Sequence, residues 1–345
     1  MAILFAEGWD CFSTGSGDFL LTGTGWSYSG GGMSVNTGNG RLSGGAVNHT
    51  QSSAYVSCSP TMARGDTVFI AAAYYAEAYG QFGNRILSVF SSTPGELFSL
   101  WATSTGVMWV VSQDGTIYPA SKAVLTPRRW HWIEVSVTLG TTSGNGAFEV
   151  RVNGDTIITG ASMDTDDGAT PTTVRFYGAD SYNRFDDVLI WNSAGSAPTS
   201  WLGDMRIDTL VPNGDGGVVD WTASAGSDYQ CVDDTPSSSD DDGTYIDSTT
   251  SAQESRFTMG NLSGTSVSIP AVQPRVRARR DDTSNSKSYR DLINSSATEA
   301  TGTTVTDPGT SYVTRRGSLY TTDPNTAAAW TDGGVNALEV GVEMI

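Results

Sequence analysis

A strict alternation of apolar and polar residues between Trp130 and Trp191 constrains the fold of this sequence most strongly. Positions 133, 135, 137 and 139 are apolar, their neighbours are largely polar or amphipathic, and Phe148–Asn153 repeats the pattern. A period of two is typical of β-strands with one buried face and one solvent-facing side. Asn153-Gly154 then supplies the two residues of positive φ that a tight hairpin turn requires. The stretch predicts paired antiparallel strands.

Short apolar runs separated by Gly, Ser, Asn and Asp clusters recur along all 345 residues. We predict about ten strands in the first part of the chain, packed as a two-sheet antiparallel sandwich. Ser193–Pro198 is a run of small residues that breaks this pattern, so we place a domain boundary near Ser200. The predicted domains are residues 1–200 and 201–345, and both are all-β.

The second, smaller domain is predicted to be a further antiparallel β-sandwich. Its predicted strands include Asp228–Val232 and Val267–Arg279. Asp323–Gly334 is the one predicted helix, because Asp323-Pro324 places a proline at the first helical position.

Charge and composition exclude several classes of protein. The formal net charge of −18 argues against nonspecific nucleic-acid binding. The three cysteines, Cys11, Cys58 and Cys231, are odd in number and widely spaced, which favours small buried thiols over disulfides. We expect no signal peptide and no membrane insertion, because no basic leader and no run of about 18 apolar residues occurs. Synthesis in a reducing cytoplasm follows.

Two acidic clusters are candidate glycan or metal sites. Asp186-Asp187 begins a predicted strand, and Asp164, Asp166 and Asp167 lie together in a predicted turn. Carboxylates at a sheet rim offer hard oxygen ligands to calcium. The structural alternative is that one of Asp186 and Asp187 caps backbone N–H groups while the other is solvated, and that the second cluster is a solvated turn. Calcium needs several more oxygens than two, which favours the structural alternative.

Arg275, Arg277 and Arg279 share one face of a predicted strand and are candidate interface residues. Two interpretations stay open. These side chains pair with acids of a neighbouring subunit, since arginine is enriched in interfaces. Alternatively, they neutralise acids of their own domain.

No constellation typical of an enzyme occurs in the sequence. Glucanases with a sandwich fold place a Glu-x-Asp-x-x-Glu triplet on one strand, whereas Glu134 and Glu149 are single acids on separate strands. His49 and His131 are the two histidines, and we expect His131, which lies between two tryptophans, to be a packed or rim residue rather than a catalytic base. We therefore expect a protein that is not an enzyme and needs no cofactor, with structural calcium left open by the acidic clusters.

The residues at Trp130–Val137, Phe148–Gly154 and Phe185–Trp191 resemble the concanavalin A-like, or laminin G-like, jelly roll. That fold occurs in lectins, pentraxins and viral proteins. The opening Ile3–Asp10 is similar to the openings of tailed-bacteriophage virion proteins. Gly203–Asn213, with further matches near the C-terminus, resembles a phage structural module that follows such lectin-like domains.

The resemblance implies a non-enzymatic structural protein of the virion, made in the host cytoplasm. It would lie at the tail tip or fibre, or on the head as a spike or decoration. Its partners would be other virion proteins and a host-surface glycan, and virion symmetry favours a homo-oligomer such as a trimer. A glycan-degrading depolymerase and a purely architectural decoration protein are the alternatives.

Overall fold

The computed structural model describes residues 3–15, 25–42, 44–49, 51, 54–78, 84–178, 183–194, 198–265, 268–283 and 287–345. The fold is all-β and antiparallel, as predicted. The chain forms two compact units, one of Met1–Leu20 with Trp26–Ile207 and one of Leu21–Gly25 with Asp208–Ile345. The first unit thus extends past Ser200, where the composition alone had suggested a boundary.

The described part of the first unit contains fifteen strands. Their bounds are β1 Ile3–Glu7, β2 Trp26–Ser29, β3 Met33–Thr37, β4 Gly45–His49, β5 Tyr55–Cys58, β6 Thr67–Tyr75, β7 Arg85–Ser91, β8 Glu96–Ala102, β9 Val107–Ser112, β10 Ile117–Ala123, β11 Trp130–Thr138, β12 Gly146–Val152, β13 Asp155–Met163, β14 Pro171–Tyr177 and β15 Asn183–Asn192.

These strands form two sheets that enclose one hydrophobic core. The eight-stranded sheet has the order β13-β12-β11-β6-β15-β4-β3, with β1 also paired to β15. The seven-stranded sheet has the order β10-β9-β8-β7-β14-β5-β2. Alternate residues of both sheets, such as Val135 and Val150 on one and Leu100 and Phe176 on the other, fill the core between them. This arrangement confirms the predicted sandwich.

The hairpin between β12 and β13 is built as the sequence predicts. Asn153 has φ 53° and Gly154 has φ 89°, and the two strands pair on either side of them. β13 itself is absent from the sequence prediction. Its side chains are mostly exposed because it is an edge strand of the sheet, so its apolar alternation is weak.

The outward side of β11 is buried, and the prediction of a solvent-facing side is wrong there. Trp132 and Glu134 are only 2% and 1% exposed. The reason is Ser200–Ile207, which we call the cover segment. Its backbone N–H groups at 202 and 203 donate to Glu134 Oε1, each at 3.1 Å. The Trp191 indole N–H donates to the Ser200 carbonyl oxygen at 3.0 Å.

The second unit contains one five-stranded sheet, two ribbons and a short helix. The sheet order is β16-β19-β24-β21-β22, and the ribbons are β17–β18 and β20–β23. The bounds are β16 Pro212–Val219, β17 Thr222–Ala223, β18 Ile246–Asp247, β19 Glu254–Met259, β20 Arg275–Ala278, β21 Ser288–Ser295, β22 Thr298–Thr306, β23 Val313–Arg316, α1 Asp332–Asn336 and β24 Glu339–Met344. A small core gathers around Ile293 and Trp330.

Three predictions of local structure in this unit are wrong. The predicted strand at 228–232 is a 3-10 helix, Asp228–Cys231, entered through Ser227 whose N–H donates to the Gln230 side chain at 3.1 Å. The predicted helix at 323–334 is replaced by α1, which starts after Thr331 because that hydroxyl accepts the Gly334 N–H. In the predicted strand at 267–279, only Arg275–Ala278 forms a strand, Ile269 and Val272 form isolated bridges to Trp330 and Tyr320, and residue 267 lies outside the described residues.

All three cysteines lie in described ranges, and no disulfide joins them. Cys58 and Cys231 are buried, as expected, whereas Cys11 is only half-buried. Within the ranges that the structure describes, no helix is long and apolar enough to cross a membrane.

Candidate functional site

The outer side of the seven-stranded sheet carries a continuous group of aromatic and charged side chains. Strand alternation puts most of it there, because Val89, Leu100 and Val110 point into the core while their neighbours point outward. A register shift between Arg85 and Leu87 in the pairing of β7 with β8 places Arg85 opposite Trp101. We call this group the aromatic–arginine face. Its members are Tyr55, Arg85, Phe90, Glu96, Trp101, Trp109, Arg175 and Tyr177.

Two tryptophans form one end of the aromatic–arginine face. Trp101 on β8 and Trp109 on β9 are direct cross-strand neighbours. Their rings stack with centroids 5.8 Å apart and an interplanar angle of 18°. Each is half-buried, so part of each ring faces solvent. The Trp101 indole N–H donates to the Ser99 hydroxyl at 2.9 Å, which fixes the ring orientation.

Arg85 links the tryptophan pair to the centre of the face. Its guanidinium carbon lies 4.7 Å from the Trp101 ring centroid and 4.9 Å from that of Tyr177. One nitrogen donates to the Tyr177 hydroxyl at 3.1 Å, and another lies 3.2 Å from a Glu96 carboxylate oxygen. Glu96 also accepts a hydrogen bond from the buried Ser88 hydroxyl at 2.6 Å. These contacts hold a cation, a carboxylate and a phenol in fixed positions.

Arg175 forms the other end of the face. Its guanidinium carbon lies 4.5 Å from the Tyr55 ring centroid and 3.8 Å from that of Phe90. Tyr55 in turn packs against Tyr177 with centroids 5.3 Å apart. Among the residues that the structure describes, no carboxylate pairs with this guanidinium. Its positive charge is therefore held by aromatic rings and can interact with a ligand.

The sequence contains a signal for this face. Core filling is the usual role of a tryptophan, and a few at a rim can instead stack on sugar faces. Trp101 lies between core residues Leu100 and Ala102, and Trp109 lies between Met108 and Val110. The same period of two that located the strands puts both tryptophans on the outer side.

The pair Asp186-Asp187 lies inside the protein rather than at a solvated rim. Each is 4% exposed. Asp186 accepts the Arg41 backbone N–H at 2.7 Å and the Asp187 N–H at 2.8 Å. Asp187 accepts the Ile207 N–H at 2.7 Å, and a nitrogen of the Arg41 guanidinium lies 3.6 Å from its other oxygen. The capping interpretation therefore describes the pair, but neither member is solvated.

Burial raises the pKa of both carboxyls of this pair, and the charge of Asp187 raises that of Asp186 further. The Asp186-Asp187 pair is not arranged to bind the calcium ion that was considered for the acidic clusters. Its oxygens already accept backbone N–H groups, and a guanidinium stands where a cation would have to bind. Across the described ranges, no three His, Cys, Asp or Glu side chains are arranged to hold a metal ion.

The second acidic cluster holds its own loop together. Asp164 accepts the Asp166 N–H at 3.1 Å. Asp166 forms a two-pronged pair with Arg64, at 2.7 and 2.6 Å. Asp167 accepts hydrogen bonds from the Ser91 and Thr93 hydroxyls at 2.5 and 3.0 Å. The cluster was expected to be a solvated turn, but the ion pair and these hydroxyls tie it to neighbouring loops.

The arginine candidates lie on β20 of the second unit. Arg277 makes a two-pronged pair with Asp241, at 2.7 and 2.9 Å, and Arg279 pairs with Asp242 at 2.6 Å. Arg275 lies opposite Arg316 on β23. Two of the three therefore pair with acids of their own unit. A role in a subunit interface stays a prediction.

Both histidines are packed, and for His131 this agrees with the prediction. His131 is 4% exposed and its ring nitrogen Nε2 lies 3.0 Å from the Thr126 backbone nitrogen. His49 is fully buried, and its ring lies edge-on to Phe185. Glu149, in contrast to the buried Glu134, is half-buried beside Arg151 at 2.7 Å.

The solved structures that are similar to this chain share little of its sequence. No protein-family model matches this chain, and no curated protein matches its sequence. It is similar to the structure of an endo-β-1,4-glucuronan lyase from the fungus Trichoderma reesei, at 11% identity and TM-score 0.42, over 54% of this chain and 94% of that one. It is also similar to an alginate lyase in complex with alginate trisaccharide, at 12% identity and TM-score 0.36, over 55% and 97% of the two chains.

A third similar structure is domain 4 of an extracellular arabinanase from Geobacillus stearothermophilus in complex with arabinotriose. Identity is 14% and the TM-score 0.37, over 55% of this chain and 92% of that one. At these identities the similarity concerns the β-sandwich architecture, which unrelated functions share.

Proposed function

We propose that the aromatic–arginine face binds a carbohydrate, and that the chain is a non-enzymatic structural protein of a tailed-phage virion. The observation that carries the binding proposal is the half-exposed Trp101–Trp109 pair beside the Arg85 guanidinium. The virion part rests on the sequence resemblance at the two ends of the chain. In this proposal the face contacts a host-surface glycan during adsorption.

The chemistry of the face matches the two surfaces of a sugar ring. A sugar has an apolar C–H side, which packs on an aromatic ring, and a rim of hydroxyls, which both donate and accept hydrogen bonds. Trp101 and Trp109 supply the aromatic surface. Arg85 supplies hydrogen-bond donors and Glu96 supplies hydrogen-bond acceptors beside this aromatic surface. Arg175 adds a cation that can pair with an acidic sugar.

Replacing one tryptophan at a time tests the binding proposal. Trp101→Ala and Trp109→Ala are each expected to raise the Kd for host surface polysaccharide about tenfold, the loss of about 1.4 kcal/mol. Trp130→Ala is the matched control, because Trp130 is also half-buried and packed on one tyrosine, Tyr75, but lies on the eight-stranded sheet. Equal binding by all three variants and the wild type would contradict the proposal.

The depolymerase alternative has one observation in its favour. The Tyr177 hydroxyl lies 3.1 Å from an Arg85 nitrogen in the middle of the face, and a phenol held by a guanidinium can transfer a proton. We expect no new reducing ends when the protein is incubated with host polysaccharide. Turnover that Tyr177→Phe abolishes would show an enzyme instead.

A purely architectural role is the remaining alternative. Purified protein that neither binds host cells nor blocks phage adsorption would establish it over the adhesive role. Light scattering during size-exclusion chromatography tests the proposed homo-oligomer separately. A monomer at micromolar concentration would remove the trimer from the proposal.

A further inference from the structure

A polar cleft of about 290 Å³ lies in the second unit, between the five-stranded sheet and the β20–β23 ribbon. Tyr289 and Asp291 of β21 and Thr304 of β22 line the sheet side. Arg315 and Ser318 lie on the ribbon side. Its size is just below the roughly 300–1,000 Å³ of typical small-molecule sites, so it suits one ring rather than a chain of them.

Two glycines leave space around the buried carboxylate of Asp291. It is 3% exposed. A Cβ at Gly302 would lie 2.3 Å from its oxygens, and a Cβ at Gly317 would lie 2.6 Å from its Cγ, so both neighbouring strands leave space there. From the described residues, the carboxylate accepts two long hydrogen bonds, from the Ser318 N–H at 3.3 Å and the Tyr320 hydroxyl at 3.4 Å. Acceptor capacity is therefore left over on the cleft wall.

Tyr289 presents a second buried polar group to the same cleft. It is 6% exposed, and no described residue makes a hydrogen bond of normal geometry with its hydroxyl, although the Arg315 guanidinium lies close enough to act on it. Burial raises the pKa of this phenol, while the charge of the nearby Arg315 guanidinium acts in the opposite direction. Buried hydroxyls without a partner are uncommon in folded proteins. A bound molecule would satisfy this one.

We propose that this cleft binds a single sugar residue, independently of the aromatic–arginine face. The wall holds an acceptor in Asp291, donors in Arg315, and groups that do both in Tyr289, Thr304 and Ser318. A ring of hydroxyls uses donors and acceptors together, whereas a metal ion would find one carboxylate and two guanidiniums. Val276 and Val305 add apolar surface for the C–H side of the ring.

The ring can be neutral or can carry a carboxylate that pairs with arginine, and the probes separate these cases. Saturation-transfer-difference NMR on the full chain would use D-glucose, D-galactose, D-glucuronate and N-acetylneuraminate, each at millimolar concentration. We expect saturation of ring protons for at least one sugar with a Kd near millimolar, as is usual for so small a ligand. A signal from the neutral sugars alone would indicate that ring hydroxyls bind Asp291. A signal from the acidic sugars alone would indicate that the carboxylate of the sugar binds an arginine.

Two mild variants locate the binding. Tyr289→Phe removes a hydroxyl that makes no hydrogen bond of normal geometry with a described residue, and Thr304→Val alters an exposed side chain, so both should fold. Each is expected to weaken the sugar signal at least threefold. Thr301→Val is the control, since Thr301 lies on the same strand, is exposed and is outside the cleft.

The outcome is separable from that of the first site. Trp101→Ala is expected to leave the monosaccharide signal unchanged, and Tyr289→Phe is expected to leave polysaccharide binding by the aromatic–arginine face unchanged. The inference is overturned if the wild type gives no signal with any of the four sugars. It is also overturned if Tyr289→Phe and Thr304→Val both bind like the wild type.

Discussion

Asp187 on β15 accepts the backbone N–H of Ile207, with 2.7 Å between Oδ1 and N. Asp187 has a left-handed backbone, φ 52°, at a bulge in the pairing of β15 with β6. The bulge turns the carboxylate toward the last residue of the cover segment. Glu134 on β11 holds the start of the same segment. Two buried acids thus attach this stretch of chain to the eight-stranded sheet.

The attachment by Glu134 depends on its oxygens rather than on its charge. Burial raises the pKa of this carboxyl, and the two N–H donors lower it in part. Glu134→Gln keeps an acceptor and is expected to change the free energy of unfolding by less than about 1 kcal/mol. Glu134→Ala leaves two buried donors unpaired and should cost at least about 2 kcal/mol. Urea denaturation of the two variants beside the wild type measures both values, and equal losses would contradict this account.

The Asp186-Asp187 pair is expected to make the protein less stable as the pH rises. In the unfolded chain, the carboxyl of an aspartate has a pKa of about 3.9 and loses its proton around that pH. The raised pKa values mean that the folded protein still holds protons that the unfolded chain has lost. The stabilising contribution is complete below that pH and is lost as the pH rises through the folded pKa values.

Asp186→Asn removes one of these titrations and the like-charge contact. The free energy of unfolding of the variant minus that of the wild type should increase as the pH rises from about 4 to about 8. Urea titrations at several pH values measure this difference, whatever the absolute stability of the variant. Parallel pH profiles for the two proteins would count against a coupled buried pair.

His49 has the opposite effect at acid pH. Burial lowers its pKa to about 3, from an unfolded value of 6.5. Because the unfolded chain then binds a proton that the folded chain does not, stability falls below about pH 6.5 by up to about 1.4 kcal/mol per pH unit. His49→Leu should remove this part of the acid slope. His131→Leu shows how much belongs to the other histidine, whose pKa burial also lowers.

The paired arginines of β20 allow a test of the interface prediction. Arg277 and Asp241 are both partly exposed, so a double-mutant cycle on unfolding should give a coupling of only roughly 0.5–1 kcal/mol. If these arginines also bind a neighbouring subunit, Arg277→Glu should shift the oligomer toward smaller species in sedimentation velocity. An unchanged oligomer would restrict Arg277 to its own unit.

Local pattern was sufficient for much of the sandwich. Trp130–Thr138 is a strand, as its alternation of apolar residues predicts, and Thr67–Tyr75 is a strand, as a short continuous apolar run rich in β-branched residues at its start predicts. The Asn153-Gly154 turn follows from backbone geometry alone. These features depend on neighbours in sequence, which a single chain reveals.

Features that depend on distant contacts were not predictable in the same way. From the alternation in β11, Glu134 is predicted to point toward solvent. It is buried because the chain returns over it at residues 202 and 203. One of Asp186 and Asp187 was expected to be solvated, because the chain that covers them is also distant in sequence. Trp101 and Trp109 become a pair only through the register of β8 against β9. Alternation gives the side of the sheet, whereas register decides which rings meet.

The cover segment also sets where this protein can be divided. A gene fragment ended at Ser200, where the composition changes, would remove both backbone donors of Glu134 and would uncover this carboxyl. Carrying the reading frame through Ile207 retains these bonds. Fusions that transplant the first unit onto another carrier should therefore include those last residues, which belong to it by contact although they resemble a linker by composition.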